Sequence, residues 1–341
     1  MKALFYPAFE TLEVTERPDP VAAADEVIIK VSACGLCGSE LETFKNKSPR
    51  RTPPLIMGHE FCGVIEDAGA LSGQFKQGQK VVANSLTPCG TCIRCKRGDT
   101  HLCAYRQIFG MHRMGAFAEY VNVPVRSLIP WPETLPAEAA CLAEPLGNGV
   151  HICNIVKHLK PETVLVIGAG PIGIMAQQAV QALLHCKTFV ADLSDERLSV
   201  ATRVGAEKVF NSRSVDVPKA ILEMTAGEGV DLVIDAVGSA ITKKHSLACT
   251  RPGGATVWIG LYENTVSVDT YDITLPEKFV FGTYAATLEE LGTALALMDA
   301  GKVEVASWVK TFSLNDSVKA FHRMLAAKED DIKAVVRMPN D

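Results

Sequence analysis

The sequence predicts an α/β protein with two domains: an irregular β-rich domain and a domain built on a doubly wound parallel sheet. Short β-branched runs separated by glycines, such as residues 26–33, fill the first part of the chain. From residue 163 onward, apolar strands alternate with helical segments, as in parallel sheets, and a β–α–β tail follows. A length of 341 residues suits two domains. We expect residues 1–147 and 288–341 to form one discontinuous domain and residues 148–287 the other.

Composition and charge narrow the class of protein. Apolar residues make up 48% of the chain and charged residues 21%, which is enough for two well-packed cores. The formal net charge of −5 argues against nucleic acid as a partner. The first residues, MKALFYP, lack the pattern of a signal peptide, and the most apolar stretch, residues 164–176, is too short to span a bilayer. We therefore expect a cytoplasmic protein with no membrane partner.

A first group of metal-ligand types lies within residues 34–63. Cys37 offers a thiolate, His59 an imidazole and Glu60 a carboxylate, and zinc binds all three types. Three protein ligands leave one coordination position open for a substrate. The residue types alone leave a second interpretation open, in which a buried cysteine and a core histidine happen to lie 22 residues apart.

A polar loop between these ligand types carries four basic side chains, Lys45, Lys47, Arg50 and Arg51. A solvated loop explains such a cluster, because long charged side chains usually extend into water. The alternative is a site for a phosphate or carboxylate group on a substrate.

A second group of ligand types consists of four cysteines, Cys89, Cys92, Cys95 and Cys103. Their spacings of three, three and eight residues predict one tetrahedral all-thiolate zinc site. Because protein fills all four positions, this zinc is structural and fixes a lobe with little regular structure. A redox Cys-X-X-Cys pair would leave two cysteines unexplained, and the acidic balance disfavours a nucleic-acid zinc ribbon. Most of the other cysteines stand in apolar surroundings, as reduced, buried thiols do.

Glu144 lies in an apolar, helix-like stretch just before Pro145. A carboxylate at this place is either an exposed residue at the end of a helix or a group that faces a positive charge. Taken alone, the sequence favours the exposed position.

A glycine-rich turn begins the parallel-sheet domain. It follows a buried strand at 163–167, contains Gly168, Gly170 and Gly173, and opens a helix through Pro171 and Ile172. In a dinucleotide-binding turn, the first glycine allows the tight bend, the second admits the pyrophosphate, and the third lets the helix pack on the sheet. The free N–H groups of the helix then face the phosphates.

A second strand, residues 188–192, ends in Asp192. A carboxylate here accepts hydrogen bonds from the adenosine ribose and repels a 2′-phosphate, which predicts NAD rather than NADP. Arg197 lies either along the adenine or on a helix surface. Further strands complete a six-stranded dinucleotide-binding sheet; they are predicted at residues 206–211, 230–238, 255–260 and 278–284.

Read together, these motifs resemble the zinc-dependent medium-chain dehydrogenase/reductase family. The similarity covers essentially the whole chain and rests on G-L-C37-G-S-E, G-H59-E-x-x-G63, the four-cysteine lobe, E144-P-L and G168-A-G-P-I-G173. The chain looks most like the polyol branch, with sorbitol, galactitol-1-phosphate and threonine dehydrogenases as relatives. The resemblance implies a GroES-like catalytic domain, a Rossmann NAD domain, two zinc ions per chain and a homodimer or homotetramer.

The resemblance also implies residue roles. Polyol-type members carry a glutamate in E-P-L as a zinc ligand, so Cys37, His59 and Glu144 would hold the catalytic zinc, with Glu60 as a direct or exchanging ligand. Ser39 matches the hydroxyl that contacts the substrate oxygen. The implied reaction transfers hydride from a secondary alcohol of a polyol or sugar-derived substrate to NAD, which leaves a ketone. Alternatives are a threonine-type amino-alcohol dehydrogenase, a sugar-phosphate or sugar-acid dehydrogenase that uses the basic loop, and a non-catalytic NAD-binding regulatory protein.

Two positions depart from the family pattern. Glu40 stands where the family usually has aspartate, and Glu42 stands where several members have a proton-relay histidine. The proton could leave through Ser39 to water, to the NAD ribose or to Glu42. Thr43, Phe44 and Tyr284 are expected either to line the substrate cleft or to be ordinary packing residues.

Overall fold

The computed structural model of the chain describes residues 1–71, 73–326 and 331–339. It contains two compact units, one of residues 1–144 and 286–341 and one of residues 145–285. The predicted class is confirmed: the first unit is β-rich, and the second is a parallel sheet with helices. Within the described residues, the structure has no helix long and apolar enough to cross a membrane.

The strands, in chain order, are β1 Lys2–Ala8, β2 Thr11–Glu16, β3 Glu26–Gly35, β4 Leu55–Ile56, β5 Glu60–Asp67, β6 Lys80–Ala83, β7 Leu86–Thr87, β8 Gln107–Ile108, β9 Tyr120–Pro124, β10 Leu128–Pro130, β11 Thr163–Ile167, β12 Lys187–Asp192, β13 Lys208–Asn211, β14 Val230–Asp235, β15 Thr250–Trp258, β16 Phe279–Gly282, β17 Val309–Ser313 and β18 Lys333–Arg337. The helices are α1 Gly38–Asn46, α2 Ile93–Lys96, α3 Ala137–Ala140, α4 Ala143–Val156, α5 Pro171–Leu184, α6 Asp195–Arg203, α7 Val217–Met224, α8 Ala240–Cys249, α9 Tyr271–Thr274, α10 Leu288–Asp299 and α11 Ser317–Ala326.

The main sheet of the first unit is organised around β3. Its strand order is β10-β6-β5-β3-β18-β17, and β9 pairs with the first half of β3. Apolar residues of β3 such as Val27, Ile29 and Val31 are buried in one continuous core, where each fully buried side chain contributes about 2 kcal/mol. The other half of β3 pairs with β5 on one side and β18 on the other. Strands from both ends of this unit therefore meet beside Gly35.

The tail joins this same sheet. Strands β17 and β18 run parallel, with α11 between them in the chain, and β18 is antiparallel to β3, with Val335 opposite Gly35. Because β5 pairs on the other side of Gly35, with Glu60 opposite it, the three strands converge at the point where the chain leaves β3 for Cys37. This convergence positions the site described below.

The second unit has one parallel sheet with strand order β13-β12-β11-β14-β15-β16. This is the doubly wound order, with β11 at the centre and the chain reversing direction across the sheet at β14. Val164, Leu165 and Val166 of β11 are fully buried, as expected of a strand covered on both faces. The glycine turn follows β11 and therefore lies at the switch point where such sheets bind ligands.

Asp231, on β14, links this strand to β11 and β15 at the other end of the sheet. Its carboxylate accepts hydrogen bonds from the Thr163 backbone N–H (2.9 Å), the Thr163 hydroxyl (2.7 Å) and Arg251 Nε (2.6 Å). Burial alone would raise the pKa of Asp231, but these donors lower it to about 2.

Because the pKa of Asp231 is lowered on folding, its ionised form stabilises the fold above the ordinary aspartate pKa. That contribution disappears as pH falls toward 2. We expect Asp231→Asn to cost about 1–2 kcal/mol of unfolding free energy at pH 6, and less at pH 3. Urea unfolding of both proteins at each pH measures the difference. A gap that widens on acidification would contradict this assignment.

Candidate metal and cofactor sites

Cys37, His59 and Glu60 form one cluster whose ligand atoms all lie within 4.8 Å of one another. Cys37 precedes the first residue of α1, while His59 and Glu60 stand where the chain enters β5. The pairing of β3 with β5 brings the two segments together. His59 and Glu60 are buried, and Cys37 is partly exposed. A thiol, an imidazole and a carboxylate that converge in this way fit a zinc site.

Glu40 lies next to the cluster and contacts both segments that form it. Its buried carboxylate accepts hydrogen bonds from the backbone N–H groups of Cys37 (3.0 Å) and Gly58 (2.7 Å), and Oε1 lies 3.1 Å from His59 Nδ1. Burial would raise the pKa of Glu40, but the neighbouring His59 and Arg51 lower it to about 2. A carboxylate on Nδ1 orients the ring and leaves Nε2 for a metal. The glutamate at this position therefore still provides a carboxylate partner for the histidine.

Lys333 is a site residue that the sequence analysis missed. It lies on β18 with only 2% of its surface exposed, and its ammonium contacts Glu60 Oε2 and donates to the Leu36 carbonyl (3.0 Å). Gly35 makes room for this ion pair, since a Cβ there would lie 2.2 Å from Glu60 Oε2. The one signal in the sequence is a lysine within the otherwise apolar strand I332-K-A-V-V.

Glu144 is the second residue of α4 and lies outside the group of atoms within 4.8 Å. Removal from water raises the pKa of Glu144, and the charge of Glu60 raises it further. The charge of His59 and a hydrogen bond with Ser85 act in the opposite direction. Glu144 is therefore close enough to interact electrostatically with the cluster and is not the exposed helix-end residue that the sequence alone favoured.

The four basic residues of the polar loop do not share one environment. Lys47 forms an ion pair with Glu10 (2.7 Å), and Lys45 and Arg50 are exposed. Arg51 is only 3% exposed and fits neither the solvated loop nor an open anion site. Arg51 therefore belongs to the protein interior and not to the exposed surface of the loop.

The remaining candidates for the substrate cleft and the proton path lie in α1, except for Tyr284. Ser39 is exposed, and its hydroxyl donates to Cys37 Sγ at 3.4 Å. Glu42 is also exposed and accepts a hydrogen bond from Asn46 Nδ2 at 3.3 Å. Thr43 and Phe44 are buried, and the Phe44 ring packs against Tyr6 and Phe321. The ring contacts of Phe44 are packing contacts. Tyr284, after β16, is half-buried.

Cys89, Cys92, Cys95 and Cys103 also converge, with all four sulfurs within 4.8 Å of one another. The lobe holds only short helices and turns, and backbone N–H groups point at the sulfurs, for example Cys92 N to Cys89 Sγ at 3.4 Å. Hydrogen bonds from the backbone of Thr91 and Cys92 lower the pKa of Cys89 to about 6. Four thiols, one of them readily ionised, fit a tetrahedral structural zinc site.

The glycine turn has the geometry of a pyrophosphate cradle. Gly168 adopts φ 98°, and a Cβ on Gly173 would lie 1.7 Å from the Gly168 carbonyl oxygen, so only glycine allows this packing. A Cβ on Gly170 would meet no atom within 4 Å, which leaves open space before α5. Pro171 and Ile172 begin that helix, and the N-terminus of a helix attracts phosphate groups.

Asp192 ends β12 beside this turn. Its carboxylate accepts hydrogen bonds from the backbone N–H groups of Ala169 (2.7 Å) and Ser194 (2.9 Å). The acid is therefore tied to the glycine turn itself. Arg197 lies half-buried in the first turn of α6, where its backbone N–H donates to the Ser194 cap.

Two family models match this chain. A family model described as "Alcohol dehydrogenase GroES-like domain" matches residues 23–133, and one described as "Zinc-binding dehydrogenase" matches residues 171–300. The chain is 32% identical to an L-threonine 3-dehydrogenase of Pyrococcus abyssi, over 93% of this chain and 92% of the relative. It is 30% identical to a D-arabitol-phosphate dehydrogenase of Enterococcus avium, over 95% and 93% of the two chains.

Solved structures show the same fold. Galactitol-1-phosphate dehydrogenase from Escherichia coli superposes with a TM-score of 0.91 at 26% identity, over 99% of this chain and 100% of that one. Similar dehydrogenase structures hold NADP or NADH. The protein is thus an oxidoreductase that depends on zinc and a nicotinamide dinucleotide. The chain belongs to the zinc-dependent medium-chain dehydrogenase/reductase family.

Proposed function

We propose that this protein oxidises a secondary alcohol of a polyol or sugar-derived substrate to a ketone with NAD⁺. The observation that carries the proposal is the convergence of Cys37, His59 and Glu60 beside the exposed hydroxyl of Ser39. The D-arabitol-phosphate dehydrogenase, a relative at 30% identity, supports a polyol-like substrate.

Cys37 and His59 would hold the catalytic zinc together with Glu144 or Glu60, and the four cysteines of the lobe would hold the structural zinc. When bound, the catalytic zinc supplies Lewis acidity that makes an alcohol easier to deprotonate. Glu40 keeps His59 in the orientation that a metal requires. Lys333 balances the charge of Glu60 in an interior that would otherwise leave it unpaired. Ser39 presents a hydroxyl next to the thiol ligand, where it can hydrogen-bond to the reacting oxygen.

An amino-alcohol substrate of the threonine type is the second candidate. It is supported by the 32% identity to L-threonine 3-dehydrogenase over nearly the whole length, and by the run G147-N-G-V-H151. The metal and cofactor residues would serve either substrate in the same way.

A substrate screen separates these candidates. Metal analysis should give two zinc ions per chain, and NAD⁺ reduction should be followed with polyols, sugar phosphates, aldonates and L-threonine. Turnover of a polyol or sugar derivative supports the first proposal, and selective turnover of threonine supports the second. A fully zinc-loaded protein with no turnover of any secondary alcohol would instead indicate a non-catalytic NAD-binding protein.

We propose NAD rather than NADP as the cofactor because Asp192 lies beside the glycine turn. Asp192→Ala is expected to lower the ratio of kcat/KM for NAD to that for NADP about tenfold or more, because the mutant no longer repels a 2′-phosphate. Glu207→Ala, which removes an exposed carboxylate elsewhere in this unit, is the control and should leave the ratio unchanged. Unchanged discrimination in Asp192→Ala would refute this role.

We also propose that the protein is a homodimer or homotetramer assembled through β16. This strand is the edge of the parallel sheet, and its Phe279, 47% exposed, stacks on Phe281 with ring centroids 6.1 Å apart. An exposed apolar strand edge tends to pair with another chain. Light scattering should give at least twice the mass of one chain, and Phe279→Glu should reduce it. Unpaired cysteines throughout the described residues support a reducing, cytoplasmic location.

A further inference from the structure

Arg51 is a buried cation with a single orientation. Its guanidinium donates four hydrogen bonds: Nη1 to the Ser39 carbonyl (2.9 Å) and the Thr43 hydroxyl (3.1 Å), Nη2 to Ser39 Oγ (3.0 Å), and Nε to the Gly110 carbonyl (3.0 Å). Two of the four go to Ser39, one to its backbone and one to its hydroxyl. The planar guanidinium presents two nitrogens at fixed positions for this forked contact, whereas an ammonium presents one nitrogen on a flexible chain.

All four acceptors are neutral. Among the described residues, Arg51 takes part in none of the ion pairs, although its charge acts on nearby Glu40. Burying a charge without a direct counter-ion costs several kcal/mol, and a neutral side chain could fill the same space at lower cost. Arg51 contacts Ser39, which in turn contacts Cys37, so this charge lies next to the candidate zinc site.

We propose that Arg51 is the positioning residue for the Ser39 hydroxyl and that its charge stabilises the negative charge that develops on the substrate oxygen. The inference rests on the proposed function. The Nη2–H group occupies one lone pair of Ser39 Oγ, so the hydroxyl hydrogen must point away from Arg51. In the structure that hydrogen is directed at Cys37 Sγ, on the side where the reacting oxygen would lie.

The same contact sets the path of the proton. A guanidinium is always protonated, so Ser39 cannot pass a proton to Arg51. To accept the proton of the alcohol on its free lone pair, the Ser39 hydroxyl must turn its own hydrogen from Cys37 Sγ to its exposed side, where that hydrogen is released to water. The carboxylate of Glu42 is bound by Asn46 and takes no part in these contacts. Arg51 thus explains how the site works without a relay histidine.

A double-mutant cycle tests whether Arg51 acts through Ser39. With NAD⁺ and the best substrate from the screen above, Arg51→Met is expected to lower kcat about 10-fold to 100-fold, with the KM for NAD⁺ nearly unchanged. In a Ser39→Ala background the same change should cost less than about threefold, because the hydroxyl it positions is gone. An equal loss in both backgrounds would overturn the proposal.

Measurements without turnover distinguish this role from a merely structural one. Arg51→Met should keep two zinc ions per chain, and the absorption spectrum of its Co²⁺-substituted form should match that of the wild type. Loss of metal or an altered spectrum that parallels the loss in kcat would overturn the proposal. If the screen yields no substrate, the proposed function fails before the cycle is begun.

Two further variants complete the experiment. Arg51→Lys keeps the charge but loses the rigid pair of nitrogens that contacts both Ser39 oxygens, so its kcat should fall between those of wild type and Arg51→Met, again only when Ser39 is present. If Arg51→Met does not fold, Arg51→Lys takes its place in the double-mutant cycle. Arg203→Met removes an exposed arginine at the end of α6 and should leave kcat within about twofold.

Discussion

Cys37→Ala is expected to lose the catalytic zinc and to lower turnover by at least about a thousandfold. The thiolate is one of three convergent ligand types, and without it the carboxylate and imidazole cannot hold a metal tightly at an open site. The zinc content should fall from two to about one per chain, because the four-cysteine lobe is a separate site. Metal analysis together with NAD⁺ reduction measures both effects.

Cys34→Ala is the matched control, three residues earlier in the chain. Cys34 is fully buried, and its sulfur would lie 2.8 Å from a Cβ on Gly58, which identifies it as a packing residue. The change should leave two zinc ions per chain and cost only about 1–2 kcal/mol of stability through the small cavity it creates. If the two variants lost zinc equally, the assignment of Cys37 as the ligand would be wrong.

Lys333→Met is expected to destabilise the fold by about 3–5 kcal/mol. The substitution leaves the buried carboxylate of Glu60 without its cation, and an uncompensated buried charge is among the costliest defects in a protein interior. Urea unfolding of the zinc-free protein should show the loss, because a bound zinc would itself place a positive charge next to Glu60.

The double variant Lys333→Met, Glu60→Gln isolates the cause. Because it removes both charges, it should recover part of the stability lost in Lys333→Met alone. Lys319→Met, on the same tail, removes a lysine that is not buried and should cost less than about 0.5 kcal/mol. A double variant no more stable than Lys333→Met would show that packing, not charge pairing, explains the loss.

The features that were predictable from the sequence are those encoded locally. In the second unit, the spacing of apolar residues changes from strand-like to helix-like within each strand–helix pair. The six strands and the Gly168–Gly173 turn were therefore all predicted. The four cysteines of the lobe lie within one short segment, so their spacing was sufficient. His59 and Glu60 were identified by residue type and by family resemblance, and the structure groups them with Cys37.

The features that were not predictable depend on distant segments. Lys333 reaches Glu60 from 273 residues away, through a strand pairing that no local pattern encodes. Arg51 stands in a run of basic residues that looks solvated, yet the turn of the chain against Gly110 buries it. Phe44 was expected either to line the cleft or to be a packing residue, and α1 directs it into the core against Phe321. The residues around Glu144 favoured an exposed position, and only the family resemblance placed it near the cluster.

The position of Lys333 on β18 also fixes an order of events during synthesis. The ribosome must produce all of residues 145–285 before β18 can emerge and pair with β3. All six strands of the parallel sheet come from one continuous span of the chain, so this unit is free to fold first, while the first unit waits with Glu60 lacking its cation. We therefore expect nascent chains to acquire a dinucleotide-binding fold well before they acquire a complete metal site.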